Sequence, residues 1–165
     1  MLPKQMESAL NTQIEEELFA SYLYLSMSAY CHSLNFKGFA NWMRMQAGEE
    51  REHAMKLYDY IIERGGRVEL EAMKKPAHSF SSIIETFSDA LAHEKKVSTQ
   101  INKLYEQAEK LKDYPSRIML QWFITEQVEE EMNAEEIVQK LKFVGNDKNG
   151  LLLLDRDLGS RQKKS

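Results

Sequence analysis

The chain has 165 residues, 42% of them hydrophobic, which suits one domain with a sizeable core and is too apolar for a disordered segment. Its formal charge of -4 and pI near 5.7 give no global electrostatic drive toward nucleic acid, and the short basic end from Arg161 to Lys164 reads as a frayed tail. The single cysteine, Cys31, excludes an intramolecular disulfide and a thiolate-only metal site. With no basic stretch followed by an apolar one at the start, the expected compartment is the cytoplasm.

In chain order, the first helix is expected from about Lys4 to Leu34, stopping at Asn35-Phe36-Lys37-Gly38. Between Leu18 and Phe36 it carries no Asp, Glu, Lys or Arg, about the length that could span a bilayer. Ser21, Ser26, Ser28, Ser33 and Asn35 make it too polar for lipid, so no membrane is expected. Protein on more than one face is the better reading, either a subunit contact along this helix or partial burial within one chain.

The second helix should run from there to the stop signal Gly65-Gly66. A stretch from Arg67 to Ser79, containing Pro76, separates it from a third helix at about Phe80 to Leu111. Asp113-Tyr114-Pro115 starts a fourth that ends before Gly145, and Gly150 precedes a short apolar run, Leu151 to Leu154. Short first and last connections force antiparallel neighbours, whereas the middle one, roughly 14 residues, reaches about 45 Å when extended. The second helix is about 39 Å long at 1.5 Å per residue. The crossover therefore delivers the third helix parallel to the second, the one-long-crossover bundle associated with di-iron carboxylate proteins.

The apolar stripe of each helix is interrupted near its midpoint. The first passes Met6, Leu10 and Ile14 to Glu17, Ser21 and Tyr24; the second passes Phe39, Met43 and Gln46 to Glu50, His53, Leu57 and Ile61. The third gives Phe87, Leu91, Glu94, Val97 and Ile101, and the fourth Met119, Phe123, Gln127, Glu130 and Ala134. All interruptions lie within about three residues of their helix centres, roughly 4 Å of rise, so in helices of matched length they meet.

Four carboxylates, Glu17, Glu50, Glu94 and Glu130, supply the charge that two divalent ions need. Carboxylates with one imidazole favour iron or manganese, because structural zinc recruits thiolates and calcium prefers oxygen alone. His53 lies three residues after Glu50 on the same face, whereas His93 points about 100° from Glu94 and is not expected to bind. His32 and His78 have no partner at ligand spacing. Glu131 reads as part of a solvated face; Glu126, Glu129 and Glu130 share a face and, with Glu49 nearby, read either as solvated charges or as a third, weaker metal position. Tyr24, on the Glu17 stripe, is either a core tyrosine or a hydroxyl that bonds a ligand or gives up an electron.

Glu17, Tyr24, Glu50-x-x-His53, Glu94 and Glu126-Gln127-x-x-Glu130, with the long crossover, make the chain resemble the bacterial non-haem ferritin family over about Met1 to Asp157. The resemblance implies an all-α, ferritin-like domain over residues 1–158. Its four-helix bundle would occupy about 4–144, its short fifth helix about 150–158, and a flexible tail 159–165. It implies a ferroxidase centre with Glu17, Glu50 and His53 around one iron and Glu50, Glu94, Gln127 and Glu130 around the second. Glu49, Glu126 and Glu129 would form the third site. It further implies Fe(II) oxidation by O2 or H2O2 and a hollow homo-oligomer, a 24-subunit cage, that stores ferric oxyhydroxide.

Departures from relatives narrow the class. Haem-binding relatives repeat Glu-x-x-His on the fourth helix and place a haem-ligating Met just after the second helix's Glu. Gln127, Glu130 and Arg51 stand there, so no haem is expected. One cysteine cannot build a four-cysteine iron module, and the run Leu151 to Leu158 is a candidate for the fifth helix that DNA-binding miniature relatives lack. Arg117 and Leu120 stand where animal ferritins carry threefold-pore carboxylates. Besides a storage cage, the residues admit a discrete di-metal redox enzyme or a structural helical assembly.

Overall fold

The computed structural model describes residues 1–162, and every described regular element is a helix. The helices are α1 (Lys4–Ser33), α2 (Lys37–Glu63), α3 (Ile83–Lys110), α4 (Tyr114–Val144) and α5 (Lys148–Gly159). The expected four-helix bundle with a short fifth helix is present.

The first three helices end by one device. Asn35, Gly65 and Lys112 adopt positive φ, and the next N–H in each case, from Phe36, Gly66 and Asp113, reaches back to the carbonyl of Cys31, Ile61 and Ala108. This left-handed closure satisfies carbonyls that the helix end would otherwise orphan. The third helix begins at Ile83 and not at Phe80, because the Ser82 hydroxyl caps it by accepting from the Glu85 N–H at 3.2 Å. The fifth begins at Lys148, two residues before the expected start, because the Asp147 carboxylate accepts from the N–H groups of Asn149 and Gly150.

Contacts fix the topology. Ser21 and Ser28 of α1 donate to the carbonyls of Ala47 and Ala40 of α2, so these helices are antiparallel. Gln5 and Glu16 of α1 meet Gln107 and Lys96 of α3, again antiparallel, which makes α3 parallel to α2. The crossover lies against α1: Asn11 bonds the Arg67 carbonyl and the Glu69 N–H, and Ser26 donates to the Ala77 carbonyl. Fifteen residues of α1, about 22 Å of rise, are thus followed by a near-extended chain. At the other joint Arg64 donates to Asp113 Oδ1 at 2.9 Å and Ser116 to Asp113 Oδ2 at 2.5 Å, tying the end of α2 to the start of α4.

The apolar core is divided into two clusters. One holds Met27, Phe39, Met43, Phe87 and Leu141; the other holds Met6, Leu10, Leu57, Ile101 and Phe123. Between them lies a layer of buried polar side chains drawn from all four long helices. Cys31 packs in the first cluster, where burial pushes its thiol up to about 12.

Helix α5 docks on the start of α2. Asp155 Oδ1 accepts from the Phe39 N–H at 2.8 Å, and a Cβ on Gly38 would fall 1.6 Å from the Asp155 carbonyl oxygen. Only glycine allows that approach. The expected tail from residue 159 is shorter than the sequence suggests: Gly159 closes α5, and Arg161 is held against α2 by hydrogen bonds to Gln46, Glu49 and the Trp42 carbonyl. The end of the expected tail, 163–165, lies outside the described residues.

Candidate metal centre

Every expected midpoint residue lies in the polar layer. Glu17, Glu50 and Glu94 are each 1% exposed, and His53, Glu49, Gln127 and Glu130 are also buried. Glu126 is half-buried and Glu129 exposed. The bundle supplies these side chains because each apolar stripe continues on both sides of its polar interruption, so packing above and below drags the carboxylates inside.

Ligand atoms of Glu17, Glu50 and His53 lie within 4.8 Å of one another, and so do those of His53, Glu126 and Glu130. Oxygens and nitrogens held about 2.1 Å from one ion lie at most about 4.2 Å apart, so small rotations would let either set enclose a metal. Glu94 belongs to neither set. Its Oε1 accepts from the Tyr24 hydroxyl, and its Oε2 from Gln127 Nε2 at 3.1 Å. Among the described residues Glu49, Glu126 and Glu129 are not gathered; Glu49 pairs with Arg161 and Glu126 sides with His53 and Glu130. Glu131 is half-buried, accepting from Ser98 at 2.5 Å, and is not simply part of a solvated face.

Buried carboxylates at this density are neutralised either by protons or by a cation. Burial, then the charge of Glu50, pushes the Glu17 carboxyl well above its usual range; burial, then Glu94 and Glu130, does the same to Glu50. Glu130 is pushed up to about 7 by burial and by Glu94 and Glu49, and Glu94 is raised by burial against the opposing hydrogen bonds of Tyr24 and Gln127. Five buried atoms of these side chains have no hydrogen-bond partner: Glu17 Oε2, Glu49 Oε1, Glu50 Oε2, His53 Nδ1 and Glu130 Oε1. Each such orphan costs about 1–3 kcal/mol or more when charged. His53 Nδ1 and Glu50 Oε2 stand 3.4 Å apart, too far for good mutual satisfaction and well placed to share an ion. An oxygen-rich set with one imidazole and no thiolate fits Fe(II) or Mn(II).

Two glutamines hold the carboxylates from the preceding turn. Gln13 donates to Glu17 Oε1 at 2.9 Å. Gln46 donates to Glu130 Oε2 at 2.5 Å and toward Glu50 Oε1 at 3.4 Å. Sequence reading gave neither a role, although a Gln four residues before a core Glu recurs on α1 and α2. It also missed Trp122, whose ring centroid lies 5.4 Å from that of His53, edge to face. His93 is buried beside Tyr24 and Phe19, and burial holds it down at about 4; His32 and His78 are exposed.

Four long helices around a carboxylate and histidine layer, joined by one long crossover, define a ferritin-like protein. Residues 7–144 match the Ferritin family, described as a ferritin-like domain, and the chain belongs to that family. It is 44% identical to the bacterial non-heme ferritin of Staphylococcus aureus (strain USA300), covering 98% of this chain and 97% of that protein. The counterpart in Staphylococcus haemolyticus (strain JCSC1435) is also 44% identical over the same shares. Among solved structures, an open-pore ferritin from the hyperthermophilic archaeon Archaeoglobus fulgidus superposes with a TM-score of 0.97 at 46% identity, covering 98% of this chain and 99% of that one. A closed form of that ferritin made by site-directed mutagenesis gives 0.98 at 44% identity, covering 99% and 100%.

Proposed function

We propose that the protein stores iron: it binds two Fe(II) ions in the polar layer, oxidises them with O2 or H2O2, and deposits Fe(III) as ferric oxyhydroxide inside a homo-oligomeric cage of 24 subunits. The observation that carries this reading is the set of five unpartnered buried ligand atoms in one layer, which a pair of divalent cations would satisfy. Glu17, Glu50 and His53 would hold one substrate iron; Glu50, Glu94, Gln127 and Glu130 would hold the other, with Glu50 between them. Glu49, Glu126 and Glu129 would serve a third, weaker position.

Each Fe(II) gives up one electron. Two Fe(II), O2 and two protons yield two Fe(III) and H2O2; two further Fe(II) with that H2O2 and two protons yield two Fe(III) and two waters. The chain's residues set the geometry: Tyr24 fixes Glu94 through its hydroxyl, Gln13 fixes Glu17, and Gln46 fixes Glu50 and Glu130. Gln127 offers a neutral ligand, which holds Fe(III) less firmly than a carboxylate and suits a site that releases its product. The released ion hydrolyses and mineralises.

The same reading places the protein in the cytoplasm, without haem, nucleic acid or membrane as partner. Among the described residues no helix is long and apolar enough to cross a membrane. Support for assembly comes from α1, whose outward positions Tyr22, Leu25 and Ala29 are exposed and uncharged.

The test is iron retained per chain after stepwise aerobic Fe(II) addition and gel filtration. Hundreds of irons co-eluting with a large particle are expected. Saturation near two per chain would instead indicate a discrete di-iron enzyme, and no retention would leave a structural assembly.

A further inference from the structure

Arg161 lies two residues past the end of α5, yet its guanidinium is folded back into the bundle. Nη2 donates to Glu49 Oε2 at 2.7 Å, and Nη1 to Gln46 Oε1 at 3.0 Å and the Trp42 carbonyl at 3.4 Å. The guanidinium carbon sits 4.7 Å from the centroid of the Trp42 ring. Asn41 Nδ2 donates to the carbonyls of Gly159 and Arg161, fixing the segment that carries the arginine. The ion pair is largely shielded, with side chains 16% and 5% exposed. This is a built site for a planar cation, with hydrogen bonds and ring stacking that a surface arginine does not make.

Glu49 is one of the carboxylates that the third metal position of the reading above would use. Its Oε2 is committed to Arg161, its Oε1 is buried and unpartnered, and it does not converge with Glu126 and Glu129. We propose that Arg161 is the resident counter-ion of Glu49 and competes with a third divalent metal for that carboxylate, so that metal arrival expels the guanidinium from its place over Trp42. The inference rests on the di-iron reading above. Two cations on one carboxylate in a poorly solvated site repel each other strongly, so occupancy alternates. Gln46 links the two events: an arginine can only donate, so Gln46 must turn its oxygen to Arg161 and its nitrogen to Glu130 and Glu50. When the guanidinium leaves, the two carboxylates still hold Gln46 in place, and the first two metals are little affected.

The chain has two tryptophans, one beside each position, Trp122 near His53 and Trp42 under Arg161. The experiment titrates redox-inert Zn(II) into chelator-stripped, assembled protein by calorimetry, comparing the wild-type chain with Arg161→Gln. It follows Trp42 emission separately in Trp122→Phe. The expected result is a third equivalent bound at least tenfold more tightly in Arg161→Gln, the first two unchanged within about threefold. In Trp122→Phe the Trp42 emission moves only with the third equivalent. A third equivalent of equal affinity in both chains, its absence from both, or Trp42 emission that ignores it overturns the inference. The first two equivalents are read in the same titration: their absence from both chains overturns the di-iron reading and this inference with it, whereas their presence beside a third that is indifferent to Arg161 overturns this inference alone.

Discussion

At Glu50 burial and like-charge repulsion are concentrated in one side chain. Its carboxylate is 1% exposed, repelled by Glu94 and Glu130, and one of its oxygens has no partner. Glu50→Gln removes that repulsion and, on the di-iron reading, the oxygen ligand proposed to be shared. We expect the metal-free variant to melt at a higher temperature than the wild type, and Fe(II) oxidation to slow by about a hundredfold or more, beyond what loss of a supporting hydrogen bond costs. A second prediction follows from the raised carboxyls. Glu17, Glu50 and Glu130 hold their protons more tightly folded than unfolded, Glu130 up to about 7. Their contribution to stability is therefore complete below the unfolded value, about 4.5, and is lost as pH rises through the folded values. The melting temperature of metal-free protein should fall from about pH 5 to pH 8, while Zn(II) affinity rises over the same window because binding expels those protons. Most of the buried polar layer was legible, since a Glu in place of each apolar stripe residue is a strong signal. The roles of Gln13 and Gln46 were less so, because glutamine at a core position has no single meaning until its partner is placed. Arg161 was not legible, since its contact with Glu49 spans 112 positions and depends on where α5 docks.

That docking is an element-scale property. The backbone of α5 passes so close to Gly38 that an added Cβ would overlap the Asp155 carbonyl, and Gly159 faces Gly38 at 3.2 Å for its own added Cβ. Backbone cannot rotate away as a side chain can. Gly38→Ala should therefore displace α5, at a cost toward the upper part of the roughly 1–3 kcal/mol typical of overpacking. Hydrogen exchange would show α5 amides losing protection while those of α1 and α3 keep theirs; equal protection in both proteins would refute the packing argument. Helix existence was readable from period and punctuation, but ends were set by local chemistry. The Ser82 and Glu85 pair was a readable cap that moved the start of α3. Lys112 in a left-handed conformation was not readable, because lysine has no preference for it.

For the molecule as a whole, part of the uncharged stretch of α1 is explained inside the chain. Its serines are consumed within the chain: Ser21, Ser28 and Ser26 donate to the carbonyls of Ala47, Ala40 and Ala77. Partial burial within the chain thus accounts for part of the stretch, and Tyr22 and Leu25 remain 46% exposed after that internal accounting. We attribute these to a subunit contact. Leu25→Arg should shift the protein from a large assembly to smaller species on gel filtration while its helical circular dichroism is unchanged; unaltered elution would remove α1 from the interface.

On the reading proposed above, the polar layer binds iron as a pair. Anomalous diffraction at the iron edge from crystals soaked anaerobically in Fe(II) addresses it most directly. Two strong peaks a few ångströms apart are expected, one among Glu17, Glu50 and His53 and one among Glu50, Glu94, Gln127 and Glu130. A single peak, or peaks confined to exposed carboxylates outside the layer, would contradict it.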